Sequence, residues 1–288
     1  VDRSWAVVGE GHPVMKRFVP YVVFCACSLL SVPSAASLIA GFATHDGVVI
    51  SADSRLGRVT PSGTHQIVSD EQTKLLILQS RILVGLAGKS DLGGKSVWRT
   101  VQEIGEKMPS NKNLTDFMET IAGELTKIHK REIKNPTDDD IVIMLIAGYQ
   151  DGVGQLAEVK VPDNTVEVLK TTENPGLAWI GDVAIPARLI LGVDTRVSED
   201  KRWDDDERKA LKQKEFLFAD NIPLADAVEV VRLAIQTSID WSKYFKGTLD
   251  EPAEYHSTIG GAIDIAVVTP THASWIQRKE SYTTPPGE

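Results

Sequence analysis

Two apolar runs, Ser37–Thr44 and Val48–Ala52, are joined by His45-Asp46-Gly47. Asp-Gly between apolar runs is a strong hairpin signal. Further runs rich in Val, Ile and Leu follow at Gln66–Ser69, Lys74–Gln79 and Ile82–Ala87. Then the period changes. Val97, Val101, Ile104 and Met108 share one helical face over Ser96–Met108, and Phe117, Ile121, Leu125 and Ile128 stripe Leu114–Lys134, with Asn113 as its cap. Strands resume at Ile141–Tyr149, Gln155–Val161 and Thr165–Thr171. Helices fit Val183–Gly192, Asp206–Phe218 and Leu224–Trp241. A strand pair, Ala262–Thr269 and Ala273–Gln277, comes last. Strands, helices, strands, helices, strands predict a layered α+β domain, sheet on sheet with helices outside.

Composition permits this. The chain has 288 residues, 42% hydrophobic and 25% charged, which excludes collagen, coiled coil and wholesale disorder. A net charge of −9 argues against non-specific binding to nucleic acid or anionic lipid. The two cysteines, Cys25 and Cys27, are too few for a disulfide framework or a zinc site. They fall in a segment with its own pattern. Met15-Lys16-Arg17 is basic, Phe18 to Val32 is mostly apolar, and Pro33-Ser34-Ala35-Ala36 supplies small residues. This is the layout of a secretory signal peptide. The apolar run is shorter than the roughly 20 residues that span a bilayer, so no permanent anchor is expected. Ser34 and Ala36 place the cut after Ala36, with Met15 as the start. The expected organisation is a leader over 1–36, one domain over 37–279 and a tail over 280–288, in a periplasmic or secreted protein.

SLIAGFATHDGVVISADSR (37–55) resembles the start of a mature proteasome β-type subunit. Members of that family begin at the nucleophile, place Gly at the fifth position, turn at Asp-Gly and end the second strand in Ala-Asp-x-Arg. Gly41, Asp46-Gly47 and Ala52-Asp53-Ser54-Arg55 fall at those places. TKLLIL (73–78), VGLAG (84–88), WIGDVAIPARLIL (179–191) and IGGAIDIAVVT (259–269) resemble later segments in order. The resemblance implies a four-layer αββα sandwich, the N-terminal-nucleophile (Ntn) hydrolase fold. It also implies a serine-type peptidase or amidohydrolase without cofactor or metal, peptide substrates and a homo-oligomer. Outside the cytoplasm there is no ATP pool, so no ATPase partner is expected.

An N-terminal Ser can serve as its own general base, because its free α-amine takes the hydroxyl proton. The amine's ordinary pKa of about 7.7–8.0 leaves a useful neutral fraction near pH 7. The resemblance makes Ser37 the nucleophile, and the leader cut exposes it. On residue type alone Ser37 equally fits a small residue after a cleavage site. Lys74 matches the family's catalytic lysine, whose ammonium favours the deprotonated hydroxyl. Asp53 matches the carboxylate that keeps the lysine charged, and Gly88 the backbone N–H facing the oxyanion. Arg55 is read as structural. Leu56, Leu76 and Leu86 match a substrate pocket for an apolar side chain, and equally fit core.

Three positions depart from the pattern. Asp182 stands where active members commonly carry serine, His256 where they carry aspartate, and Ile259 where they carry another serine. A non-catalytic structural or binding subunit is therefore a second expectation, and an acylase of small amides a third. No HExxH, P-loop or strand-borne GxGxxG is present. Lys127–Lys134 reads as cations at a helix C-terminus. Asp138–Asp140 and Asp204–Glu207 read as solvated turns or helix starts.

Overall fold

The computed structural model describes residues 37–59, 65–109, 112–137, 140–192, 204–212, 218–219, 221–244 and 259–279. The expected leader over 1–36 with Cys25 and Cys27, His256 and the expected tail over 280–288 lie outside them. The described chain is mixed α/β, mostly sheet with several helices.

Fourteen strands are described: β1 Leu38–Ala43, β2 Val48–Ala52, β3 Leu56–Val59, β4 His65–Ser69, β5 Leu75–Leu78, β6 Ile82–Gly88, β7 Asp91–Leu92, β8 Lys95–Ser96, β9 Val142–Gln150, β10 Val153–Val161, β11 Thr165–Thr171, β12 Gly176–Gly181, β13 Asp264–Val268 and β14 Ala273–Gln277. Two five-stranded sheets form, ordered β12-β1-β2-β13-β14 and β11-β10-β9-β6-β5, alongside two small hairpins, β3-β4 and β7-β8. The helices are α1 Val97–Lys107, α2 Leu114–Glu132, α3 Ala184–Pro186, α4 Asp205–Lys212 and α5 Leu224–Tyr244. Among them none is long and apolar enough to cross a membrane.

Strand alternation assigns each face. Along β1, Ile39 and Ala43 join Leu83, Leu145 and Leu156 of the other sheet in one core. Leu38, Ala40 and Phe42 point the other way and pack with Ala227, Val231 and Ile235 of α5. A third core joins Val84, Met144 and Val159 to Val101 of α1 and Phe117 and Ile121 of α2. Asn113 caps α2 as expected, its side chain accepting from Asp116 N at 2.7 Å. Asp204 and Glu207 cap α4 reciprocally, at 2.8 and 3.0 Å.

The β1–β2 hairpin forms with Ala43 opposite Val48. Thr44 Oγ1 accepts from Asp46 N and Gly47 N, both at 3.2 Å. Gly47 is needed for room: a Cβ there would sit 2.9 Å from Leu224 Cδ2 and from Val268 O.

Some expectations need correcting. Val183–Gly192 is not one α-helix: α3 lasts three residues and passes into a π-helical turn, Ala187–Leu191. Pro186, with no N–H to donate, sits at the change. β12 lies in a stretch for which no element was expected, paired with β1 along its length. The short strands β3, β7 and β8 carry too little pattern to be read.

Gly41 on β1 marks where the two sheets approach. A Cβ there would lie 2.9 Å from Leu156 Cδ1 and 3.0 Å from Leu145 Cδ2. Gly41→Val is expected to destabilise the fold by about 1–3 kcal/mol through overpacking. Urea unfolding measures this.

Candidate active site

Ser37 directly precedes β1 and is 1% exposed. Its peptide with Leu38 is held at both ends. Ser37 O accepts from Asp182 N at 2.8 Å, and Leu38 N donates to Asp53 Oδ1 at 3.0 Å. Gly181, opposite Leu38 and at φ +93°, allows this approach, because a Cβ there would collide with the Ser37 carbonyl.

Asp53 follows the last residue of β2 and is buried. Lys74 precedes β5 and is also buried, and its Nζ donates to Asp53 Oδ1 at 2.8 Å. Asp53 Oδ2 accepts from Arg55 N at 3.2 Å and Gly260 N at 3.1 Å. Burial pushes the Lys74 ammonium below the ordinary lysine pKa, opposed by the charge and hydrogen bond of Asp53.

Gly88 ends β6 at φ +82°, where a Cβ would collide with the Ile141 carbonyl. No other residue fits this position without moving the start of β9. The next residue, Lys89, donates its N–H to Ile141 O at 2.8 Å and pairs through Nζ with Asp140 Oδ1 at 2.5 Å. Asp140 Oδ2 also accepts from Thr137 N and Oγ1, both at 2.9 Å. Burial opposes its ionisation, but these bonds hold its carboxyl below the usual range. The expectation that Asp140 is a solvated turn residue is thus corrected.

Ser37, Lys74 and Gly88 line one cleft enclosing about 340 Å³, the open space at its mouth included. Leu56 and Leu86 form part of its wall. Leu76 does not line it: that side chain is buried against α1 and α2, because it faces opposite to Leu75 on β5. Sequence reasoning missed Gln72, Thr73, Lys89, Ser90, Val97 and Trp98, which also line the cleft. Lys89 and Ser90 were findable as the residues after Gly88. Trp98 arrives on the first turn of α1 and carries no local signal.

Arg55 is structural, as expected: it pairs bidentately with Asp70 at 2.6 and 3.0 Å and reaches Ile259 O at 3.3 Å. Ile259 is buried in the α5 core. Asp182 meets Ser37 through its backbone. Among the described residues, no cluster of His, Cys, Asp and Glu could hold a metal ion.

No family model matches the chain, and no curated protein matches it. Solved structures do. An Anbu (ancestral beta-subunit) protein from Yersinia bercovieri superposes with a TM-score of 0.54 at 13% identity, covering 85% of this chain and 89% of that one. An Anbu mutant from Hyphomicrobium sp. strain MC1 gives 0.53 at 12% identity, with the same coverage. The fold is therefore proteasome-related. The resemblance to proteasome β-type subunits is corrected: the structural neighbours are Anbu proteins, a proteasome-like but distinct family. Gly41, the Asp46-Gly47 turn and Gly88 serve backbone geometry, so such positions mark a fold without marking one family within it.

The buried Lys74 gives a pH signature. Its folded pKa is lowered, so above that value the unfolded chain binds more protons and stability rises with pH. Raising the pH from about 8 to about 10 should stabilise the protein relative to Lys74→Met, which lacks this group. Urea unfolding at both pH values checks the sign.

Proposed function

We propose that this chain is an exported Ntn-type serine hydrolase that cleaves peptide or amide bonds through an acyl-enzyme on Ser37. One observation carries the reading: Ser37, Lys74 and Gly88 line a single cleft, with Asp53 bonded to both Lys74 and the amide after Ser37. A four-layer αββα arrangement belongs to the same reading, supported by the three apolar cores.

Removal of residues 1–36 frees the Ser37 α-amine. The Oγ attacks the substrate carbonyl carbon while its proton passes to the amine. The Lys74 ammonium, kept charged by Asp53, favours the alkoxide. The carbonyl π pair moves onto oxygen, and the Gly88 N–H receives that oxyanion, a donor worth about 10²–10³ in rate. Collapse of the intermediate breaks the C–N bond, and the leaving amine takes the proton from the α-ammonium. Water then attacks the ester, losing its proton to the amine, and Ser37 leaves with a proton restored. Leu56 and Leu86, with Val97 and Trp98, suit an apolar substrate side chain. Peptides that are short or already unfolded are the substrates, and the protein works as a homo-oligomer without an ATPase.

A second reading, a non-catalytic subunit on the same fold, is favoured by one observation: Ile259, buried and apolar, stands where an active member carries a serine. N-terminal sequencing and electrophile labelling decide between the two. The mature chain should start at Ser37 and take up one equivalent of a peptide electrophile there. Ser37→Ala should cut peptidase activity more than about a thousand-fold. A folded wild type that starts at Ser37 and takes no label supports the non-catalytic subunit instead.

A further inference from the structure

A second buried Lys–Asp pair stands beside the first. Asp264 begins β13 and lies opposite Ala52, the residue before Asp53. Lys279, just past β14, donates its N–H to Asp264 Oδ1 at 2.7 Å, and its Nζ sits 3.1 Å from Asp264 Oδ2. The side chains are 9% and 3% exposed. Two buried charges so placed are not explained by stability, since an apolar pair of equal volume commonly serves as well or better. The ammonium has one further bond, to the Gln72 carbonyl at 2.7 Å. Gln72 lines the cleft, two residues before Lys74.

We infer that Lys279 is a positioning residue for Lys74: anchored on Asp264, its ammonium holds the Gln72 carbonyl and so fixes the segment that carries Lys74 into the cleft. Its role in turnover rests on the reading of Ser37 as nucleophile; its hold on the segment does not. The segment is also held from the β2 side and, at Lys74 itself, from β6, where Leu86 N donates to Lys74 O at 2.8 Å. Gln72 N donates to Ser54 O at 2.9 Å, Ser54 Oγ to Asp70 O at 2.6 Å, and Arg55 pairs with Asp70. Lys279 supplies the clamp from the β13–β14 side, 207 residues away in sequence.

The charged groups that face Lys74 define a readout. Asp53 comes from the end of β2, Arg55 from just beyond it, Asp70 from the loop before β5, and Lys279 from the end of β14. Burial depresses the Lys74 pKa most, Asp53 opposes this, and the Lys279 cation adds a smaller depression. Lys279 is therefore near enough for its loss to be felt at Lys74 Nζ.

The test follows the Lys74 Cε–Nζ signals by NMR titration in lysine-labelled mature protein, with Lys74→Arg for assignment, alongside peptide-electrophile labelling of Ser37. In Lys279→Met, the Lys74 titration should move to higher pH, because a neighbouring cation is lost, and labelling should slow about ten-fold as the Lys74 ammonium loses its fixed position. Lys279→Arg keeps charge and donors, so the titration should stay in place and labelling should recover to within about three-fold. An unshifted titration with unchanged labelling in Lys279→Met overturns the inference. If that variant does not fold, Lys279→Gln retains a donor for Gln72 O, and an unmoved Lys74 titration there overturns it equally. Failure of the wild type to label removes Ser37 as nucleophile, while the titration still decides the role of Lys279.

Discussion

The Asp53 carboxylate gathers three distant stretches of chain, and the backbone just after it, onto one buried charge. Oδ1 takes the amide of Leu38 and the ammonium of Lys74, and Oδ2 takes the amides of Arg55 and Gly260. A carboxylate shut away from water at 1% exposure is tolerable only when its oxygens are this fully met. The same four bonds close β1 against β2, bring in the strand that begins after Lys74, and dock the 259–261 turn. Fold and site thus share an anchor. A change that loosens one loosens the other, which separates this site from catalytic groups mounted on loops above a finished scaffold.

What the sequence disclosed was local. The hairpin at Asp46-Gly47, the stripe of α2 with Asn113 at its cap, and the apolar runs of β5, β6 and β9 each write their geometry into neighbouring residues. So do Ser37, Asp53, Lys74 and Gly88, which fall at the ends of strands whose order was readable. What stayed hidden depends on register and tertiary approach. Leu75 and Leu76 are indistinguishable as letters, yet one faces the core between the sheets and the other the core beneath α1 and α2. Trp98 enters the cleft because α1 starts where the β7–β8 hairpin ends, and Lys279 reaches the Gln72 carbonyl because β14 returns to β13. Neither meeting leaves a trace in nearby sequence. The identity of the structural relatives was hidden for a related reason: motifs that serve sheet and turn geometry persist across families that share it.

Three lysines near the cleft each have a carboxylate of their own: Lys74 with Asp53, Lys89 with Asp140, Lys279 with Asp264. Lys74 and Lys89 line it directly. Each charge is therefore met inside the protein, and the leucines, Val97 and Trp98 are left to make the apolar side of the wall. Pairs of this kind seldom add net stability over apolar replacements. They do fix orientation, because a buried ammonium has few alternative partners and leaving one unmatched is costly. The arrangement suits a cleft whose shape is set before a ligand arrives.

The peptide between Ser37 and Leu38 carries this logic to the proposed nucleophile. Its carbonyl is taken by the Asp182 amide and its N–H by Asp53, so the plane of that peptide cannot turn without breaking one bond on each sheet neighbour. A hydroxyl carried on a fixed backbone searches only the three staggered positions of its χ1. Holding reactants in a near-attack geometry is worth several kcal/mol when the ordering is done in advance. The locked peptide supplies that ordering on the C-terminal side of Ser37 alone. On the other side, freedom of the amine depends on the bond after Ala36, so the cut that exports the chain and the cut that arms the serine are, on this reading, one event.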